Sequence, residues 1–408
     1  MSGTGVDPAA FAAEARAFLD AHAERLPEVA DAFEWGRGDD FVGIVEEGDP
    51  AEQVAALSAA QAWAASRFDA GFGWIDGPSE LGGRELGTDL VRLYRGLESG
   101  YVVPDQSIFT IGLGMVAPTI LAHANPEVQR AYLPGLHRGD LIACQLFSEP
   151  GAGSDLAAVS TRAERDGDDW IVTGQKVWTS NAQHSDIGEI ICRSDPESSK
   201  HAGLTAFVID MRAPGVEVRP LRQMTGGAGF NEVFLTEARI PDSHRLGEIG
   251  GGWGVALTTL MNERATIGSG MGLGRGPGPF ERLIALTREM GRDQDRVIRD
   301  ELARLYAEHQ VISWTGKRAL AAVQAGRLPG PELSILKLAG TLHLLGTADF
   351  AAEVLGPKLC ADVGEWGTFA WGKLVCGAPG GRLGGGTDEI LRNIIGERVL
   401  GLPREPRG

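Results

Sequence analysis

The chain has 408 residues, of which 43% are hydrophobic, and a formal net charge of −17; this is enough for a large core or for two to three packed subdomains. The acidic charge and the lack of any stripe of lysine and arginine argue against nucleic acid or an anionic membrane surface as the main partner. No apolar run reaches the length of a membrane span and the acidic N-terminus does not resemble a signal peptide, so we expect a soluble cytoplasmic protein.

The first 140 or so residues are predicted to be helical. Two alanine-rich segments, 9–23 and 51–70, place apolar residues at helical spacing. Glycine and proline then separate two further helical segments, 86–99 and 126–136.

At about Ile142 a period of two replaces the helical spacing and continues to about Arg239. Alternation is visible in the segments WIVTGQKVW, IGEIICRS, LTAFVID and VEVRPL, which turns separate. From about Gly254 helical spacing returns. We predict helices through 261–264 and over 280–289, 296–325, 331–355 and 388–400. Helices, then strands, then helices indicate an α+β fold.

The cysteines and histidines show no metal-binding pattern. The four cysteines are far apart and form no CxxC motif, and the eight histidines form no HxH or HExxH motif. We therefore expect reduced thiols and no metal site.

Residues 146–181 contain the most informative pattern in the chain. A glycine-rich turn at Gly151, Gly153 and Ser154 is followed by the trio Trp178, Thr179 and Ser180. Small residues and hydroxyls let a backbone approach a flat polar ligand, and an indole offers a stacking face. Taken alone, the pattern also fits a β-hairpin with a glycine turn.

This segment resembles the signature of the acyl-CoA dehydrogenase family, and similar matches occur in order along most of the chain. They are Pro78-Ser79-Glu80-Leu81-Gly82-Gly83, Pro118-Thr119, Gly174-Gln175-Lys176, Phe230-Asn231-Glu232-Val233 and the tail GGGTDEILRNIIGERVLGLPRE. The resemblance implies an N-terminal helical domain (1–140), a middle β-barrel-like domain (141–245) and a C-terminal four-helix bundle (246–408).

The resemblance also implies FAD as cofactor and an acyl-CoA thioester as substrate, dehydrogenated between its α and β carbons in lipid metabolism such as β-oxidation. The cofactor-binding residues that it implies are Phe147, Ser148, Gly153, Ser154, Trp178, Thr179, Ser180, Thr387 and Glu389. Ser154 would also lie near the phosphate-bearing arm of the substrate, and Arg264 is a second expected substrate contact. The alternative for Trp178 is an indole packed in the core.

The catalytic base departs from the common family pattern. Many members carry a glutamate just before the Gly-Thr of the tail motif, where this chain has Gly385. The peptide N–H of Gly385 could still polarise a thioester carbonyl. A smaller branch of the family, with branched-chain substrates, carries its glutamate on the helix that opens the C-terminal domain, and Glu263 matches that position. We predict that Glu263 is the base; the alternative is a solvated pair with Arg264.

A second departure concerns the partner-facing half of the flavin site. In the family, an Arg-x-x-Phe-Gly stretch of the neighbouring subunit reaches the pyrophosphate, and the corresponding region, 286–305, contains no Phe-Gly. Arg288 or Arg292 could replace that contact in a homo-oligomer. Alternatively, a sister subunit could supply it in a heteromer such as a heterotetramer.

Three functions remain open at this stage. The first is the dehydrogenase, with a bulky or branched acyl group because Gly385 removes bulk, and with an electron-transferring flavoprotein as acceptor by resemblance. The second is a flavin half-site or non-catalytic subunit of a heteromeric acyl-CoA dehydrogenase. The third is a flavoprotein oxidase or monooxygenase on the same scaffold.

Overall fold

A computed structural model of the chain describes residues 5–27, 33–42, 50–198, 200–268, 280–324, 330–331 and 333–404. The chain divides into two compact units. The first comprises Met1–Ala30, Gly48–Leu221 and Ala228–Asn262. The second comprises Asp31–Glu47, Arg222–Gly227 and Glu263–Gly408.

The first unit begins with helices, as predicted. Its helices are α1 (Pro8–His22), α2 (Pro50–Asp69), α3 (Thr88–Glu98), α4 (Ala117–His123) and α5 (Pro126–Arg138), and the short strands β1 (Glu24–Arg25) and β2 (Tyr101–Val102) pair with each other. Local sequence sets the ends of α5: the Asn125 side chain accepts hydrogen bonds from the N–H groups of Glu127 and Val128, and Gly139 follows at φ 84°.

Eight strands form the central sheet of the first unit. They are β3 (Ala143–Leu146), β4 (Arg162–Asp166), β5 (Asp169–Ser180), β6 (Ile187–Arg193), β7 (Leu204–Asp210), β8 (Val216–Leu221), β9 (Phe230–Pro241) and β10 (Arg245–Leu246). Their order is β10-β7-β6-β4-β5-β9-β8, and β3 pairs in parallel with β6. The four strands predicted from alternation, β5 to β8, are confirmed, and the sheet adds β3, β4, β9 and β10, which no alternating segment had indicated.

The sheet is covered by apolar side chains on both faces. Ile187 and Ile191 of β6 belong to a buried cluster that also contains residues of α4 and α5. Ile190 and Cys192, which alternate with them, belong to a second cluster formed by the opposite face. Because β6 is buried on both faces, its sequence is an almost continuous run of apolar residues.

One carboxyl group interrupts that run. Glu189 is fully buried, and one oxygen, Oε1, accepts a hydrogen bond of 2.6 Å from Thr259 Oγ1, which in turn lies 3.0 Å from Thr119 Oγ1. The other oxygen, Oε2, has no hydrogen-bond partner among the described residues. Burial raises the pKa of Glu189 to about 8, although the bond from Thr259 opposes this shift. Near neutral pH the folded protein therefore holds this carboxyl as a neutral acid.

The buried carboxyl predicts a pH-dependent stability. Between its ordinary pKa of 4.5 and about 8, the folded state keeps a proton that the unfolded state releases, so stability falls as pH rises through this window. Glu189→Gln removes the titration. We expect its free energy of unfolding at pH 8 to exceed that of the wild type by about 1–3 kcal/mol, with the gain vanishing near pH 5. Urea unfolding at a series of pH values measures this, with Glu164→Gln on the exposed face of β4 as control. A gain that is constant with pH would contradict it.

The remaining helices complete the fold. They are α6 (Gly252–Gly268), α7 (Phe280–Glu289), α8 (Arg296–Gln324), α9 (Leu333–Leu355), α10 (Ala370–Gly381) and α11 (Asp388–Ile394), with a π-helical turn at Ile395–Val399. The boundary between the two units falls inside α6, between Asn262 and Glu263. The α+β class, with helices, a sheet and helices in chain order, is confirmed.

The second unit has a core of its own. Fully buried Trp371, Leu374 and Leu305 pack there with Phe350. Arg282 of α7 is 7% exposed and donates hydrogen bonds to the backbone carbonyls of residues 39–41. These bonds hold residues 39–41 against α7. Within the part of the chain that the structure describes, no helix is long and apolar enough to cross a membrane.

Candidate functional site

The glycine-rich turn follows directly from β3. Two backbone hydrogen bonds close it, from Glu149 N to Ala152 O (2.9 Å) and from Ala152 N to Glu149 O (3.0 Å). Phe147 is buried at 6% exposure, Ser148 is half-buried, and Gly153 and Ser154 are exposed. The predicted cofactor-binding residues of this segment therefore pass from the core to the surface within one turn.

A buried ion pair fixes the turn to β5. Lys176 Nζ, with a side chain 0% exposed, donates to Glu149 Oε1 (2.8 Å) and to the backbone carbonyls of Phe147 (3.1 Å) and Ile191 (2.7 Å). Glu149 also accepts from the N–H groups of Ser160 and Thr161. Burial alone would raise the pKa of Glu149, but the charge and hydrogen bond of Lys176 outweigh it and lower that pKa to about 2.

Trp178 adopts a backbone conformation that is rare for a large side chain. Its φ is 61°, in the left-handed region, at a register shift between β5 and β9. The indole is 60% exposed and lies edge-on to the ring of Phe230, with ring centroids 6.1 Å apart. Exposure rules out the alternative of an indole packed in the core. A residue keeps such an unfavourable backbone conformation only when its surroundings hold it there. Residues of this kind cluster at functional sites, so Trp178 is a candidate site residue.

The hydroxyl groups next to Trp178 have unused hydrogen-bonding capacity. Thr179 is 1% exposed, and its Oγ1 has no hydrogen-bond partner among the described residues. Its backbone carbonyl, in contrast, accepts a bond of 3.0 Å from Asn231 Nδ2. The hydroxyls of Ser148 and Ser180 likewise make no hydrogen bond to any residue that the structure describes. A flat heterocycle with polar edges needs hydrogen-bonding groups at its edge and an aromatic surface against its face. The three hydroxyls can supply the first and the exposed indole the second.

In the second unit, Glu263 and Arg264 lie on α6 and both are half-buried. Burial lowers the pKa of Arg264, and so does the nearby charge of Arg398, whereas Glu263 opposes the shift. Of the apolar residues that flank this pair in the sequence, Met261 is 60% exposed. The side chains of Ala265 and Ile267 lie outside the described residues.

The tail motif forms a glycine loop that leads into α11. Gly385 and Gly386 have φ values of 68° and 95°, which a residue with a Cβ adopts only with strain. Thr387 caps α11, since its Oγ1 accepts a bond of 3.4 Å from Ile390 N. Glu389 is exposed in the first turn of α11. A glutamate at position 385 would have to take this left-handed conformation.

Two buried charged groups flank the loop, and the sequence analysis identified neither. Lys337 of α9 is 7% exposed and donates a bond of 2.8 Å to the backbone carbonyl of Gly386. Asp388 is 1% exposed and pairs with Arg382 at 2.6 Å. The signal for Lys337 was a single lysine within the apolar run LSILKLAG.

The structure thus groups the predicted site residues into two sets. Phe147, Ser148, Gly153, Ser154, Trp178, Thr179 and Ser180 belong to the first unit; Glu263, Arg264, Gly385, Thr387 and Glu389 belong to the second. Of the two arginines considered for the pyrophosphate, Arg292 is engaged with Asp295 at 2.8 Å. Arg288 makes no ion pair or hydrogen bond to any described residue, so it is the one available for a ligand or partner.

Comparison with known proteins gives family matches to the segments that carry both sets of residues. Residues 144–238 match the acyl-CoA dehydrogenase middle domain, and residues 250–400 match the acyl-CoA dehydrogenase C-terminal domain. Acyl-CoA dehydrogenase IpdE1 of Mycobacterium tuberculosis is 35% identical over 379 residues, 90% of this chain and 94% of that protein. Acyl-CoA dehydrogenase FadE34 of the same organism is 40% identical over 289 residues, which are 71% of this chain but only 39% of FadE34.

Solved structures show the same fold over nearly the whole chain. The protein described as the Tcur3481-Tcur3483 steroid ACAD superimposes with a TM-score of 0.73 at 25% identity, covering 98% of this chain and 99% of that one. The ChsE4-ChsE5 complex from Mycobacterium tuberculosis superimposes with a TM-score of 0.69 at 26% identity, covering 99% of this chain and 100% of that one.

Proposed function

Because the chain belongs to the acyl-CoA dehydrogenase family of oxidoreductases, we propose that it catalyses the FAD-dependent α,β-dehydrogenation of an acyl-CoA thioester to the trans-2-enoyl-CoA. The observation that carries the proposal is Trp178, an exposed indole held in a left-handed backbone conformation next to the hydroxyl of Thr179, which has no partner among the described residues. A structural role alone gives no reason for such an arrangement, whereas a stacked cofactor does.

The residues present fit a flavin. The hydroxyls of Ser148, Thr179 and Ser180 offer hydrogen bonds to its polar edge, and Trp178 offers a stacking face. Thr387 and Glu389 are two further proposed cofactor contacts. When bound, FAD supplies the acceptor for the hydride that leaves the β-carbon.

The residues of the second unit fit the proton-transfer half of the reaction. Glu263 would remove the proton from the α-carbon, and the peptide N–H of Gly385 would donate a hydrogen bond to the thioester oxygen as charge develops there. Arg264, half-buried beside Glu263, and Ser154 would hold the substrate. A nearby positive charge favours the ionised form of a carboxylate, which is the form that a base requires.

We further propose a bulky or branched acyl group and an electron-transferring flavoprotein as acceptor. Gly385 leaves space where many relatives have a glutamate, and one similar structure is described as a steroid ACAD. The region 286–305 lacks the usual pyrophosphate contact, and another similar structure is described as a complex of two proteins. A sister subunit that completes the flavin site is therefore a second candidate arrangement beside the homo-oligomer.

The flavin content of the chain purified alone tests the proposal. We expect a yellow protein with about one FAD per chain, whose visible flavin absorbance is lost when a ring-bearing or branched acyl-CoA is added without oxygen. A folded but colourless protein would instead indicate a half-site that needs a sister subunit. Rapid reoxidation of the reduced flavin by oxygen, with product bound, would favour an oxidase and contradict the dehydrogenase.

A further inference from the structure

Lys337 is a buried lysine in the second unit that the proposed reaction does not yet use. It lies on α9, where its neighbours in sequence are mostly apolar, and its side chain is 7% exposed. Its ammonium donates a hydrogen bond of 2.8 Å to the backbone carbonyl of Gly386. Burying an ammonium group is costly unless it is paired, so its surroundings must compensate for the lost hydration.

The charged groups that face Lys337 come from three segments of this unit. Asp388 at the start of α11 and Glu263 on α6 both favour its charged form, and Arg382, just after α10, disfavours it. Burial nevertheless lowers the pKa of Lys337 overall. The two carboxylate oxygens of Asp388 differ in their partners. Oδ2 accepts a hydrogen bond of 2.7 Å from Arg382, whereas Oδ1 has no partner among the described residues. The charge of Lys337 therefore interacts favourably with a buried carboxylate and with the proposed base.

Glu263 faces a similar set of charges. Arg264 is the next residue of α6 and is attracted by the charge of Glu263, whereas Arg398 of the π-helical turn repels Arg264. Lys337 donates its hydrogen bond to the loop that carries Gly385, and its charge interacts favourably with the carboxylate of Glu263.

We infer that Lys337 is a positioning residue for both halves of the proton-transfer site: its hydrogen bond holds the loop of Gly385 and Gly386, and its ammonium group attracts the carboxylate of Glu263. The inference rests on the proposed function for the identity of the base. The loop needs such a tether because its two glycines, both left-handed, give the backbone the most conformational freedom of any residue. An oxyanion donor contributes only when it is held in place before the reaction.

Substitutions of Lys337 separate the two effects. Arginine keeps the charge, glutamine keeps an N–H donor without the charge, and methionine removes both. The acid limb of the pH profile of kcat reports the pKa of the base in the substrate complex. We expect this limb to shift upward by about one pH unit in Lys337→Gln and Lys337→Met and to stay near the wild-type position in Lys337→Arg.

Hydrogen exchange gives a second reading that does not depend on activity. Amides of residues 384–387 should exchange at least about fivefold faster in Lys337→Met than in the wild type. The control is Lys358→Met, which removes an exposed lysine that pairs with Glu365 at 2.8 Å, and neither the pH limb nor the loop exchange should change. If Lys337→Met does not fold, the comparison of Lys337→Gln with Lys337→Arg decides the charge effect.

The outcomes distinguish this inference from the proposed function. An inactive Glu263→Gln variant together with identical pH limbs for Lys337→Gln and Lys337→Arg would overturn the electrostatic half of the inference and leave the base assignment intact. A Glu263→Gln variant with wild-type turnover would overturn the base assignment, and with it the electrostatic half of the inference. Unchanged loop exchange in Lys337→Met would overturn the positional half.

Discussion

Replacing Glu263 with glutamine is expected to lower kcat by about 10²–10⁴-fold, the usual effect of removing a general base, while leaving the visible spectrum of bound flavin unchanged. Glutamine has nearly the same shape as the half-buried Glu263 that it replaces on α6, but its amide cannot act as a general base. The KM should change little, because the carboxylate contributes to the transition state rather than to ground-state binding. Steady-state turnover of the best acyl-CoA, with the flavin content measured in parallel, checks this expectation.

The matched control is Glu281→Gln, an exposed glutamate in the first turn of α7 in the same unit, for which wild-type turnover is expected. Loss of less than about tenfold in Glu263→Gln would exclude Glu263 as the base. The buried Asp388, which pairs with Arg382 at 2.6 Å, would then be the next carboxylate to test.

Most of the fold could be predicted from the sequence because its elements follow simple periods. The alternation in β5, β7 and β8 and the helical spacing in α1, α2 and α7 arise from local patterns of apolar residues. Helix α10 could not be predicted in this way. Its sequence AWGKLVCGAPGG contains four glycines and a proline, and both residue types disfavour helices. The burial of Trp371 and Leu374 in the core of the second unit stabilises it instead.

The site was predictable only where neighbouring residues in sequence share a role. The segment around Trp178 could be found because its glycines, hydroxyls and indole follow each other closely. The pair of Glu149 and Lys176 could not, since 27 residues separate its members and the sheet alone brings them together. Lys337 and Gly386, 49 residues apart, illustrate the same limit. Lys337 was marked only as a lone charged residue in an apolar run, and Lys176 stood in the motif Gly174-Gln175-Lys176, which did not identify its partner.

The second large effect is expected at Lys176, where methionine should lower the free energy of unfolding by about 3–5 kcal/mol, because removing one partner of a buried pair leaves the other charge uncompensated. Glu149, 6% exposed, would then be buried without its cation, and the carbonyls of Phe147 and Ile191 would lose their donor. Since these contacts fix the turn beside Ser148, the affinity for FAD should fall as well. Urea unfolding and flavin titration measure the two effects.

The pH dependence and a surface control make this expectation specific to the buried pair. Because Lys176 holds the pKa of Glu149 near 2, against an ordinary value of 4.5, the pair stabilises the wild type above about pH 4.5, and this contribution is lost as pH falls towards 2. In Lys176→Met the unpaired Glu149 should take up a proton at higher pH, so the loss of unfolding free energy relative to the wild type should shrink on acidification.

The surface control is Lys358→Met, which removes an ion pair whose side chains are 46% and 42% exposed. This variant should lower the free energy of unfolding by less than about 1 kcal/mol. Equal losses in the two variants would mean that burial does not strengthen the Lys176 pair, and the turn would then need another explanation for its position.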